Sequence, residues 1–217
     1  MRPVVVFDLD GTLVDSLEEI LASFRFVLTG AGLPVPDDAR LRSWIGLPLA
    51  ETFARLAPPE AVAELTAAYR RHYLARLGHR TRPYPGVPER LAELRAAGFG
   101  LAVATTKRSG PAKTLLERVG LLGFFDHVQG TDEGMPAKPD PEVVRRAVAG
   151  AGGAGVAMVG DTVHDVAAAR AAGLAAYAVT WGAGRAEALA AAGADRVAPD
   201  LEALPDWLAA VAGRFIV

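Results

Sequence analysis

Two aspartates, Asp8 and Asp10, stand two residues apart directly after the apolar run Val4-Val5-Val6-Phe7, and Gly11 follows them. The run reads as a buried strand. Carboxylates at its end are costly to desolvate unless a metal, a hydrogen-bond network or a reaction compensates them. Side chains alternate along a strand, so Asp8 and Asp10 can address one site while Leu9 turns into the core. Taken alone, Asp-x-Asp also fits an ordinary solvated strand end, so the reading depends on partners elsewhere in the chain.

Three later stretches offer such partners. The apolar run Phe99–Ala104 meets Thr105-Thr106-Lys107, where Thr105 presents a hydroxyl and a backbone N–H at a strand end. The helix expected from Gly110 adds amides suited to an anion. Lys107 reads either as a substrate contact or as a solvated side chain. Lys138 precedes two prolines, and the chain otherwise uses arginine, with lysine only at 107, 113 and 138. A lysine there supplies a compact point charge that could neutralise both Asp8 and a bound anion. Gly155–Val159 then closes on Gly160-Asp161, with Asp165 four residues on. If a helix starts at once, Asp161 and Asp165 share a face at i, i+4. At about 4 Å and an effective dielectric near 20 they would repel by roughly 4 kcal/mol. A hard dication such as Mg²⁺ is the natural compensation, with helix capping as the other reading of Asp165.

The elements that must hold these residues follow from periodicity and capping. Ser16-Leu17-Glu18-Glu19 fits a capping box opening a helix to about Leu28. Residues 36–78 carry only helical signals, at Asp37-Asp38, at Pro48–Glu51 and at Pro58-Pro59-Glu60, and no strand is expected before residue 99. From Tyr84 onward strands and helices alternate: helix 86–97, strand 99–104, helix to about Val119, strand 127–130, helix 141–149, strand 155–159, helix 163–172, strand 175–180, helix 185–192, strand 196–198 and helix 201–212. Continuous apolar strands between helices predict an α/β fold with a doubly wound parallel sheet. Ligands in such sheets bind beyond the carboxyl ends of the strands, where all the polar clusters fall. The expected division is a core of residues 1–16 and 81–217 with an inserted α-helical cap of residues 17–80.

Composition narrows the function classes. Hydrophobic residues make up 51% of the 217, enough for a packed core, and no cysteine is available for disulfides, thiolate chemistry or thiolate metal sites. Lys+Arg 23 against Asp+Glu 25 gives no general attraction to nucleic acid or an anionic membrane. With neither a signal-peptide pattern nor a membrane-length apolar run, a soluble cytoplasmic protein is expected, as a monomer or weak homodimer.

Asp8-Leu9-Asp10-Gly11-Thr12, Thr105, Lys138 and Gly160-Asp161-Thr162-Val163-His164-Asp165 resemble, in order, the four motifs of the haloacid dehalogenase superfamily. Tyr84-Pro85-Gly86-Val87, Lys138-Pro139-Asp140-Pro141-Glu142 and the helical insertion resemble its phosphoglycolate phosphatase-like branch. The resemblance implies a Rossmann-like core, Mg²⁺, an aspartyl-phosphate intermediate and a small phosphorylated metabolite as substrate. It makes Asp8 the nucleophile and Asp10 the proton carrier. It places Mg²⁺ on the Asp8 and Asp161 side chains and the Asp10 carbonyl, with Asp165 bound directly, through water, or orienting Asp161. Trp44-Ile45-Gly46-Leu47-Pro48 resembles the substrate-facing cap loop, so Gly46 and Arg42 join Thr105, Thr106, Lys107 and Lys138 as expected substrate contacts, Arg42 toward a carboxylate. Thr106 stands where the family often has Asn. Trp44 and Phe53 read equally as cap core, the Arg70–Arg82 arginines as a solvated face, and His164 as an exposed helix residue. A sugar phosphomutase, a pyrophosphatase or nucleotidase of the same superfamily, and a catalytically inactive binding protein are the competing readings. Phosphonate hydrolysis and mutase chemistry both lack their usual cap lysine, since no lysine precedes residue 107.

Overall fold

The first apolar run forms β1 (Pro3–Phe7), whose residues Val4 to Phe7 are all fully buried. The computed structural model describes residues 1–212. After β1 come β2 (Val14–Asp15) and four helices, α1 (Leu17–Gly30), α2 (Asp38–Arg42), α3 (Leu49–Ala54) and α4 (Pro59–Arg76). β3 (Arg82–Pro83) returns the chain, and then come α5 (Val87–Ala96), β4 (Gly100–Thr105), α6 (Ser109–Arg118) and β5 (His127–Gly130). The remainder is α7 (Glu142–Ala151), β6 (Ala154–Gly160), α8 (Val163–Ala171), β7 (Ala175–Val179), α9 (Ala186–Ala191), β8 (Arg196–Ala198) and α10 (Leu204–Ala212).

Six strands form one parallel sheet in the order β5-β4-β1-β6-β7-β8. The order reverses between β1 and β6, which makes that pair the switch point of a doubly wound sheet. Alternation along β1 sends Val5 and Phe7 into one core cluster and Val4 and Val6 into another. The first cluster is closed by Leu91, Leu94, Leu115, Leu204 and Leu208, and continues into Phe24, Phe53 and Tyr69 of the helical insertion. The second is closed by Val143, Val144 and Ala147 of α7 with Val166 and Ala169 of α8. Trp44 and Phe53 belong to the buried set. No helix among the described residues is long and apolar enough to cross a membrane.

Three expectations change. The chain has strands before residue 99 beyond β1: β2 and β3 pair antiparallel, Val14 against Pro83 and Asp15 against Arg82. Two-residue strands carry no periodic signal, and their pairing is a tertiary event. The capping box at Ser16 does not form. Ser16 makes no side-chain cap bond and instead donates to Asp10 Oδ1 at 2.6 Å. Glu19 accepts from the backbone N–H of Gly78 (3.0 Å), of Thr81 (3.2 Å) and of Arg80, and from the Thr81 hydroxyl (3.0 Å). The final helix begins at Leu204, later than its apolar pattern suggested, because Leu201 lies in a turn.

Candidate active site

Each strand of the switch point delivers one acid. Asp8 follows β1 and Asp161 follows β6; both are buried, as is Asp165 in the first turn of α8. Gly11 takes a φ of +87°, and a Cβ there would run into the Asp161 carboxylate, so glycine is required on both counts. This close approach also lets Thr12 Oγ1 donate to Asp161 Oδ1 at 2.8 Å. The other Asp161 oxygen accepts the Ala183 N–H at 2.7 Å. Gly182 beside it has room for no Cβ, because Asp161 and the Gly11 carbonyl fill the space. Thr12 and the Gly182-Ala183-Gly184 loop were not assigned from sequence, although two glycines after an apolar strand end were a usable signal.

The ammonium of Lys138 is the centre of the cluster. It lies 2.5 Å from Asp165 Oδ1, 2.7 Å from Asp8 Oδ1 and 3.0 Å from the Ala104 carbonyl, and it is 3% exposed. Among the described residues Lys138 is the one cation against Asp8 Oδ1, and no backbone or hydroxyl donor reaches that oxygen. Asp8, Asp161 and Asp165 each bring an oxygen within 4.8 Å of the others'. Three carboxylates then face one ammonium. Burial first, and then Asp165 against the pull of Lys138, push the Asp8 carboxyl up to about 7. Burial, then Asp165 and Asp8, push Asp161 well above the usual aspartate range. Burial alone would lower the Lys138 ammonium, but Asp165 and Asp8 outweigh it and the net shift is upward. Three buried carboxylates clustered against one ammonium are the donor chemistry that a hard oxygen-seeking dication matches.

Asp165 does not pair with Asp161 along a helix face. Thr162 is the N-cap of α8, so Asp161 lies ahead of the helix. Thr162 accepts from the Asp165 N–H, while Asp165 Oδ2 accepts from Thr162 N (2.9 Å) and Oγ1 (2.6 Å), completing a capping box. Both Asp165 oxygens are thereby engaged, one by the cap and one by Lys138.

Asp10 is less enclosed, with its side chain 13% exposed. It holds Ser16 on one oxygen and Lys107 (3.1 Å) on the other. Lys107 is therefore not a solvated side chain: it also donates to Tyr73 on α4 at 2.9 Å and lies 4.2 Å from that ring's centroid. Tyr73 had no assigned part in the sequence reading and Ser16 only that of a helix cap, since no local pattern marks either as a partner of Asp10 or Lys107. Thr105 is buried, its hydroxyl accepting from the Lys107 N–H at 3.2 Å.

A cavity of about 610 Å³ opens between this cluster and the helical insertion. Asp8, Asp10, Thr105, Thr106, Lys107 and Gly46 all line it. Gly46 packs toward Thr162 and His164, which leaves His164 half-buried rather than exposed, because the loop after α2 covers it. Arg42 is not on the cavity wall. It stands near enough to Tyr84 for its charge to act on that hydroxyl. Its neighbour Leu41 takes the buried face of the short helix α2, and successive helical residues cannot share a face. Of the arginines at 70, 71, 76, 80 and 82, Arg70 alone lines the cavity.

The chain belongs to the haloacid dehalogenase-like hydrolases, whose sequence model matches residues 5–179. It is 44% identical over 191 residues to the "Probable phosphatase IndB" of Dickeya dadantii, covering 84% of this chain and 83% of the relative. A phosphoglycolate phosphatase of Caulobacter vibrioides is 38% identical over 187 residues, 82% of this chain and 79% of that one. Among solved structures, a haloacid dehalogenase-like hydrolase of Streptococcus pneumoniae superposes with a TM-score of 0.85 at 29% identity, covering 95% of this chain and 98% of that one.

Proposed function

We propose that the protein is a Mg²⁺-dependent, phosphoglycolate phosphatase-like enzyme that hydrolyses small phosphomonoesters through an aspartyl-phosphate on Asp8. The observation that carries this reading is the Lys138 ammonium held 2.7 Å from Asp8 among clustered carboxylates, behind Asp8 and Asp10 on the wall of a ligand-sized cavity. Phosphoryl transfer is mainly positioning and charge stabilisation, and the site offers both. Asp8 attacks phosphorus in line; the ester P–O bond breaks, and the leaving alkoxide takes a proton from Asp10. Asp10 then removes a proton from a water, which attacks the same phosphorus and frees Asp8. Lys138 keeps Asp8 aimed and neutralises the arriving phosphate oxygens, while Thr105 and Thr106 contribute hydroxyl and N–H donors. Asp165 aims Lys138. The Asp8 and Asp161 carboxylates with the Asp10 carbonyl would hold Mg²⁺, which when bound offsets the negative charge shared by Asp8 and the phosphate. Residues 17–80 serve as the cap that excludes water. A small phosphorylated metabolite as ligand, a cytoplasmic location and a monomer or weak homodimer complete the proposal.

The test is phosphate release from p-nitrophenyl phosphate with and without Mg²⁺. Asp8→Asn should lower kcat by about a thousandfold or more. Turnover that survives this substitution, or none in the native chain, overturns the proposal.

A further inference from the structure

The cavity's walls say more about the alcohol half of the substrate than the phosphate end does. Away from Asp8 its surface is made by Phe24 of α1, by Trp44, Ile45, Leu47 and Leu49 around α3, and by Leu74 of α4. These are apolar side chains on three separate stretches of the insertion, all turned toward one space. At about 610 Å³ that space is in the range that encloses drug-sized molecules. Phosphoglycolate, a two-carbon acid, would leave most of it filled with water against apolar walls.

The insertion is also already tied down over the site. Lys107 in the loop after β4 donates to Tyr73 of α4, and Arg118 of α6 donates to the Leu77 carbonyl. The volume is therefore that of a docked lid.

The described cations on this wall are Lys107, Arg108 and Arg70, outnumbered by the apolar side chains. The Lys107 ammonium is committed to Asp10 and Tyr73. Arg108 lies at the rim, its side chain 46% exposed and 4.0 Å from Glu133. Arg70 shares that rim, forms no ion pair among the described residues, and feels the Arg108 charge ahead of that of Glu133. Arg42 lies off the wall altogether.

Resting on the phosphatase reading, we infer that the preferred substrate is the phosphate monoester of a bulky, largely apolar alcohol that fills the space a two-carbon acid would leave to water. Contact with those six apolar side chains would select it.

The experiment compares kcat/KM for α-naphthyl phosphate, glycerol phosphate and phosphoglycolate with Mg²⁺ present, in the native chain and in Leu74→Gln. Leu74 is 45% exposed, so the substitution spares the core. α-Naphthyl phosphate should exceed phosphoglycolate by about tenfold or more, the scale on which apolar pocket contacts discriminate. Leu74→Gln should narrow that ratio by about threefold, mainly through KM for the naphthyl ester. Phosphoglycolate preferred over both other esters would overturn the substrate class and leave the phosphatase reading standing. A ratio untouched by Leu74→Gln would also count against the wall as the selector. No hydrolysis of any ester would instead bring down the reading beneath it.

Discussion

At the scale of single residues, the cluster assigns different work to acids that look alike in the chain. Asp165 spends one oxygen on the N-cap of α8 and the other on Lys138. Removing it leaves a buried ammonium with one partner fewer and a helix with half a capping box. With Lys138 still paired to Asp8 and less repulsion among the acids left, Asp165→Ala should cost chiefly its cap, about 1–2 kcal/mol of unfolding free energy in urea titration. Asp165→Asn, which keeps an acceptor for the cap, should cost less, and equal losses from the two would refute the double role. Sequence reasoning located the acids and Lys138 because buried charge is rare and conspicuous. It ranked Asp161 as a metal ligand and left Asp165 open between metal and helix cap, since that choice turns on where α8 begins. Thr162 as N-cap with an acid three residues later decides for the cap.

Among the elements, the insertion's two entry points are joined by one side chain. Glu19 in α1 accepts four hydrogen bonds from residues 78–81, about 60 positions away in the chain. It also lies beside the β2–β3 pair, so helix, return segment and hinge strands form a single unit. Glu19→Gln swaps an acceptor oxygen for an NH₂ that faces donors, and should lower stability by about 2–3 kcal/mol with faster proteolysis between Leu77 and Arg82. Unchanged melting and cleavage would mean that the four bonds do not hold the hinge. The sequence made Glu19 look like a partner of Ser16 because local patterns see only local partners. The strand-and-helix alternation after residue 84 was legible for the opposite reason: each apolar run and each cap is a local signal. β2 and β3, which exist only through each other, were not.

Over the whole molecule, the sheet order, the acid cluster and the cavity converge on the gap between β1 and β6. Gathering Asp8, Asp161 and Asp165 there should destabilise the metal-free chain and favour whatever cation relieves it. If Mg²⁺ binds the native state alone, a concentration one hundred times its Kd adds about 2.7 kcal/mol to stability. Melting followed by calorimetry should show a rise in Tm on adding Mg²⁺ to chelator-treated protein, and the rise should vanish in Asp161→Ala. An identical Tm with and without the ion would refute the metal assignment. The fold class was readable at this scale, and the site's location with it. The cavity was not, because its walls come from α1, the loop after α2, α4 and the loops after β4 and β5, which only tertiary packing assembles. The β2–β3 pair also sets how such a chain can be taken apart. Paired antiparallel strands hold opposite Cα atoms about 5 Å apart, so everything between Asp15 and Arg82 leaves and re-enters through one narrow doorway. A different helical segment whose ends meet at that spacing could be spliced in without moving β1 or its acids. Selectivity would then be exchanged as a cassette on a common chassis, provided each cassette rebuilds the contacts that Ser16 and Tyr73 make to Asp10 and Lys107.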